Sequence, residues 1–227
     1  MLLETEGLFI QVSGLTSEAD ALFAVALGAT AVGFDFGPTP RQISAHAVHD
    51  IVRRLPVGVI TVGTFYNEMP ERIVEITNTL GLSAVQIEGL ITRSALGYVA
   101  ERVRTVIRSV RSAPDAYEYE GVESVDYLHV AAPLGESLSP ELHHLLRDPL
   151  MLRPLIVGGL GHDRVADVVG HYDVWGVDAL EGIESSPGVK DAFKMGEYIA
   201  NARGAEASAL TPRPTWPPTG ESFEGEI

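Results

Sequence analysis

Short apolar runs rich in β-branched residues alternate along the chain with longer segments whose apolar residues return every three or four positions. The first run, at 8–12, leads into a helical pattern at 17–27, for which Ser17 is the expected N-cap. The same pairing recurs at 30–36 with 45–55, and at 58–65 with 71–80, where Pro70 suits the first turn of a helix. A short run at 85–87 precedes a helical pattern at 92–102. Residues 105–110 form a fifth strand candidate, followed by an acidic "YEYEGVE" segment with room for a short helix. The last three pairs are 127–131 with 140–147, 155–158 with 164–169, and 174–179 with 189–202.

Eight strand–helix units within 203 residues predict a (β/α)8 barrel, an α/β fold of one domain over residues 1–203. An open doubly wound sheet is the rival architecture. After Arg203 the sequence turns to Pro, Gly and Ser, and Pro212 cannot continue a helix. Residues 204–227 therefore read as a separate tail, either free or a polyproline arm carrying Trp216 onto a barrel surface.

Composition narrows the function classes. The chain has 227 residues, 45% of them hydrophobic, enough for one large core, and a formal net charge of −15. Its 16 basic residues are scattered, which argues against a nucleic-acid partner, since such partners need clustered cations. No cysteine is present, so neither disulfides nor thiolate metal sites are expected. No apolar run is long enough to span a bilayer and no leader pattern opens the chain, so a cytoplasmic protein without membrane contact is expected.

In a barrel of this kind, chemistry is placed on the loops that follow the strands. That rule selects Ser13, Asp35, Asn67, Glu88, His129, Gly158, Gly159 and the segment 181–184. "VGGLGHDRV" and "EGIESSPGVKD" put glycine turns on the last two such loops, where barrels often bind phosphate through backbone N–H groups. Gly158, Gly159, Gly182 and Ile183 are the expected phosphate contacts.

Residues 11–203 resemble phosphoribosylanthranilate isomerase, a tryptophan-pathway barrel family that converts a phosphoribosyl amine to a ketose by Amadori rearrangement. The resemblance rests on "GLTSEADALFAVALGATAVGFDF", "TPRQIS", "VGTFYNE", "AVQIEG", "VGGL" and "VDALEGIESSPGVKD", in order and at matching spacing. It implies substrate contacts at Arg41, Gln86, Asp178 and the position of Glu181, and the phosphate turns above.

The resemblance fails at the proton-transfer positions. The family's Lys-Ile-Cys-Gly-Leu-Thr motif, whose cysteine is the base, reads Gln11-Val12-Ser13-Gly14-Leu15-Thr16. A thiol titrates near about 8.5 and a hydroxyl several units higher, so Ser13 is expected to position a ligand or fill space unless something activates it. The family's acidic aspartate after strand six falls on His129 or Val130, according to a one-residue choice of alignment. Its Val-Gln-Leu-His-Gly becomes Val85-Gln86-Ile87-Glu88-Gly89, and Asp35 replaces a valine.

Glu88, His129 and Asp35, with Ser13, are the catalytic candidates, each with a structural alternative. Glu88 could pair with Arg41 or Arg93, His129 could be a hydrogen-bonded barrel residue, and Asp35 could point outward. Glu181 sets a like charge beside the expected phosphate. The histidine pairs His46/His49 and His143/His144 fit exposed helix faces, and no metal or cofactor is expected.

The leading expectation is an isomerase acting on a small phosphorylated, ribose-derived substrate, with a homodimer open. The alternatives are an authentic family isomerase with an unusual site, and a catalytically silent ligand- or partner-binding barrel.

Overall fold

The structure, a computed structural model, describes residues 3, 5, 7–132 and 138–208. Eight parallel strands close on themselves in chain order. They are β1 (Phe9–Val12), β2 (Ala31–Asp35), β3 (Ile60–Phe65), β4 (Ala84–Ile87), β5 (Val106–Val110), β6 (Tyr127–Ala131), β7 (Leu155–Gly158) and β8 (Gly176–Ala179). Each is followed by a helix: α1 (Glu18–Ala26), α2 (Ala45–Val52), α3 (Pro70–Leu80), α4 (Arg93–Ala100), α5 (Ala113–Glu118), α6 (Pro140–Leu145), α7 (Val165–His171) and α8 (Ala192–Ser208). Pairing of β8 with β1, from Phe9 opposite Gly176 to Val12 opposite Ala179, closes the cylinder and excludes the open-sheet rival.

Side chains alternate between lumen and helix layer along each strand. The lower lumen is apolar, filled by Phe9, Ala31, Ile60, Val62, Ala84, Ile107, Tyr127 and Ile156. Trp175 shuts that end, its ring centroid 4.7 Å from Phe9 and 4.2 Å from Tyr127. The outward residues, such as Ile10, Val32, Val85, Leu128, Val130 and Val177, join helix residues in the main core. Above the apolar layer the lumen turns polar: Gln11, Ser13, Gln86, Ser109, His129 and Asp178 are all buried there.

Local sequence explains most helix starts. Ser17, Ser44, Thr92, Ser112 and Ser139 each accept a hydrogen bond from a backbone N–H in the first turn, and Pro70 opens α3. The short acidic helix starts upstream of the expected "YEYEGVE" and ends within it at Glu118, because Ser112 and Pro114 supply the start signals.

The last unit departs from expectation. Residues 189–190 belong not to a helix but to a small antiparallel hairpin, β9 (Glu184–Ser186) with β10 (Val189–Lys190), preceded by a 3-10 turn at Glu181–Ile183. Gly188, at φ +82°, makes the reversal, and a Cβ there would lie 2.7 Å from Pro40 O. α8 in turn continues past Arg203 to Ser208, because Arg203 donates to Gly28 O at 2.9 Å and Glu206 accepts from the Leu8 N–H. Trp216 and the rest of the expected arm lie outside the described residues, as does 133–137 of the loop after β6. No described helix is long and apolar enough to cross a membrane.

Candidate active site

Seven polar side chains from five strands or their ends form a closed ring of hydrogen bonds across the barrel mouth. Gln11 Nε2 donates to Ser13 Oγ at 2.7 Å and to Gln86 Oε1 at 3.0 Å. Ser13 Oγ donates to Asp178 Oδ1 at 2.6 Å, and Asp178 Oδ2 lies 3.1 Å from His129 Nε2. His129 Nδ1 lies 3.3 Å from Ser109 Oγ, which donates to Glu88 Oε1 at 2.7 Å. Gln86 Nε2 donates to the same oxygen at 2.7 Å and completes the circuit.

Ser109 has one hydroxyl proton, and it goes to Glu88. An imidazolium at His129 would serve both of its contacts, donating from Nδ1 to Ser109 and from Nε2 to Asp178. Burial opposes that charge, but the Asp178 hydrogen bond and charge, with the charge of Glu88, outweigh burial and raise the imidazole above its ordinary value. Asp178 and Glu88 are the acceptors of the circuit, and they differ in access. Asp178 is buried, whereas Glu88 is partly exposed. Both bonds to Glu88 end on Oε1, so among the described residues Oε2 has no hydrogen-bond partner.

Two glycines make the space. A Cβ on Gly158 would lie 2.3 Å from His129 Nε2, and one on Gly33 would lie 2.9 Å from Ser13 Oγ. Gly158 thus serves the imidazole directly. At β6 the strand pleat turns His129 to the lumen, while Val130 packs in the outer core.

A second cluster holds the loops after β2 and β8 together. Arg41 Nε and Nη2 grip Glu184 at 2.8 and 2.7 Å, a bidentate pair, and Nη2 reaches Glu181 at 3.4 Å. Lys190 Nζ donates to Glu184 Oε1 and to Leu180 O, both at 3.1 Å. Burial pushes the Lys190 ammonium down despite Glu184. Burial would lift Glu184, but Arg41 and Lys190 hold its carboxyl below the usual range. Glu88 makes neither of the ion pairs considered for it, since Arg93 donates to Glu118 O at 2.6 Å and stacks on Tyr119.

Asp35 points inward, yet it stands outside the ring. It accepts from Gly37 N at 3.0 Å, Thr39 Oγ1 at 2.6 Å and Tyr66 Oη at 3.2 Å. Burial, only partly offset by these donors, raises its carboxyl. The expected phosphate turns pack against each other and against the strands. A Cβ on Gly159, at φ +74°, would lie 1.8 Å from Ala132 O, and one on Gly182 would lie 2.5 Å from Leu160 O. Ile183 is buried, with its carbonyl accepting from Asp191 N at 2.9 Å, while the Glu181 side chain is 55% exposed.

Sequence reasoning missed Ser109 and undervalued Gln11. Alternation along 105–110 places Ser109 on the lumen face opposite His129, and that spacing was its one signal. Among the described residues no group of three or more His, Asp or Glu side chains is arranged to hold a metal ion.

A family profile described as N-(5'phosphoribosyl)anthranilate (PRA) isomerase matches residues 10–201. The N-(5'-phosphoribosyl)anthranilate isomerase of Citrifermentans bemidjiense is 34% identical over 205 residues, covering 86% of this chain and 96% of its own. The phosphoribosyl anthranilate isomerase of Thermotoga maritima superposes with a TM-score of 0.78 at 31% identity, over 87% of this chain and 99% of that one. A phosphoribosyl anthranilate isomerase in complex with reduced 1-(o-carboxyphenylamino)-1-deoxyribulose 5-phosphate gives 0.77 at 30%, with the same coverage. With a closed eight-stranded barrel, a profile spanning nearly the whole cylinder and relatives above 30% identity over most of the chain, the chain belongs to the phosphoribosylanthranilate isomerase family.

Proposed function

We propose that the chain catalyses an aldose–ketose, Amadori-type isomerisation of a phosphorylated ribose-derived amine, with Glu88 as the acid–base group and His129 as its proton reservoir. The reaction needs a proton delivered to the furanose ring oxygen as the nitrogen lone pair opens the ring to an iminium ion. It then needs the C2 proton removed, so that the C2–H electrons form the C1–C2 double bond of an enaminol, which ketonises as C1 takes a proton. One titratable group facing the substrate and a second that reloads it satisfy these transfers.

The observation that carries this reading is the path His129 Nδ1–Ser109 Oγ–Glu88 Oε1, at 3.3 and 2.7 Å, with the opposite carboxylate oxygen uncommitted. Ser109 relays the His129 proton to Glu88, which gives it to the ring oxygen. The carboxylate so formed takes the C2 proton at Oε2 and returns it to C1, and the C2 hydroxyl proton goes back to His129 by the same path. Asp178 holds the imidazolium charge and, through Ser13, locks the strand-one side of the mouth. Gln86 orients the Glu88 carboxylate. The turns at Gly158–Gly159 and Gly182–Ile183 are the proposed phosphate seat, with backbone N–H groups as donors. Arg41 and Glu181 border the ligand from the β2 and β8 loops.

The reading is tested by incubating the purified protein with N-(5'-phosphoribosyl)anthranilate and with its counterpart lacking the carboxyl group, following ketose formation. Conversion of either, abolished by Glu88→Gln, supports it; conversion of neither overturns it.

A further inference from the structure

The end of the barrel shut by Trp175, opposite the mouth, carries an open and largely apolar cavity. It measures about 380 Å³ and is lined by Val25 of α1, Ala29 before β2, and Pro56, Val57 and Val59 before β3. Val57 is fully exposed there. An apolar hollow open to water marks a surface that something covers.

α8 delivers the rest of the chain to this place. It starts beside the β9–β10 hairpin, and its last turns are fastened at the shut end, Arg203 to Gly28 O at 2.9 Å and Glu206 to the Leu8 N–H. Gly28 directly precedes Ala29 of the cavity, so residues 209–227 begin beside it. Within them Trp216 is flanked by Pro212, Pro214, Pro217 and Pro218. The eight-residue step from Ser208 to Trp216 spans about 25 Å as polyproline II, at about 3.1 Å per residue. Residues 209–220 carry one charge, Arg213, and Glu221, Glu224 and Glu226 follow. On the barrel, Arg54 is taken by Glu18, whereas Arg53, three positions before Pro56, is exposed and has no ion pair among the described residues.

We infer that segment 209–227 docks on the shut end of its own barrel, with the Trp216 indole in the cavity beside Val25, Val57 and Val59. An indole is the largest apolar group the segment offers, and a buried tryptophan removes on the order of 150–250 Å² from water. The prolines lower the cost of ordering the arm, and the tether keeps the indole at an effective concentration near the millimolar range. The acidic residues that follow Trp216 find their cation in Arg53. This surface is remote from Glu88 and independent of the isomerase reading.

The test is tryptophan fluorescence of the full-length protein. The chain has two tryptophans, so subtracting the spectrum of Trp216→Phe from that of the wild type isolates Trp216. Its emission is expected to be blue-shifted and shielded from acrylamide, at every protein concentration. Val57→Glu, a change at a fully exposed side chain that leaves the barrel folded, should shift that emission to the red and remove the shielding. Leu90→Glu, at an equally open apolar residue on the loop after β4, should leave both unchanged. Three results overturn the inference: a water-exposed Trp216 in the wild type, shielding that survives Val57→Glu, and shielding that appears only as concentration rises, which would seat the arm on a second copy.

Discussion

Ser13 gives its hydroxyl proton to Asp178, at 2.6 Å, and no imidazole lies on its donor side. A carboxylate is far too weak a base to make that hydroxyl nucleophilic at neutral pH. The partner of Asp178 is instead His129, at 3.1 Å on the other oxygen, so the carboxylate bridges a serine and an imidazolium and organises both. Ser13 is thus a structural link in the ring, and the proposed mechanism sets proton transfer on the Glu88 side.

The first prediction separates Gly158 from an unhindered helix glycine. Gly158→Ala places a methyl 2.3 Å from His129 Nε2 and must displace the imidazole, which should cost about 1–3 kcal/mol. Gly170→Ala, inside α7 with nothing within 4 Å, should instead stabilise by about 0.4–1 kcal/mol. Urea unfolding of the two variants checks the contrast, and equal effects would contradict it.

A second prediction concerns pH. Asp178 and Glu88 raise the folded-state value of His129 above the ordinary value of about 6.5, against the opposing effect of burial. Its stabilisation is therefore fully present below that ordinary value and is lost as pH rises through the higher folded one. Urea midpoints of the wild type should fall across this window relative to those of His129→Gln. Parallel profiles would show that the imidazolium is not part of the folded ring.

Ion pairs supply a third. Arg41–Glu184 is bidentate, with side chains only 11% and 5% exposed, so Arg41→Ala should cost about 1.5–3 kcal/mol by stripping a buried carboxylate of two charged hydrogen bonds and leaving Lys190 as its cationic partner. Arg54–Glu18 has a comparable distance of 2.6 Å but lies at 64% and 34% exposure, where solvent screens the pair, and Arg54→Ala should leave the melting temperature essentially unchanged. Thermal melts at matched salt measure both.

The barrel was legible because its strand–helix alternation repeats with hydrophobic runs long enough to carry a period. The hairpin at 184–190 was not, since strands of three and two residues carry no period and the turn is fixed by Gly188 against Pro40. For the site, strand-end position, joined by the family resemblance for Asp178, singled out Ser13, Glu88, His129 and Asp178. It could not show which of them bond, because Ser13 and Asp178 stand 165 positions apart and meet only where the cylinder closes. Ser109 escaped notice because a lone strand serine resembles any other until its neighbours across β4 and β6 are known. The expected substrate contact at Arg41 also hid a structural one, for its partner Glu184 lies 143 positions away.

The central claim is that Glu88, and not Ser13, meets the substrate's proton. Steady-state isomerisation by the wild type, Ser13→Ala and Glu88→Gln, on whichever of the two phosphoribosyl amines is converted, measures it most directly. Glu88→Gln should lose about 10²–10⁴ in kcat with KM little changed, while Ser13→Ala stays within about tenfold of the wild type. The reverse order of losses would contradict the account and return the base to strand one.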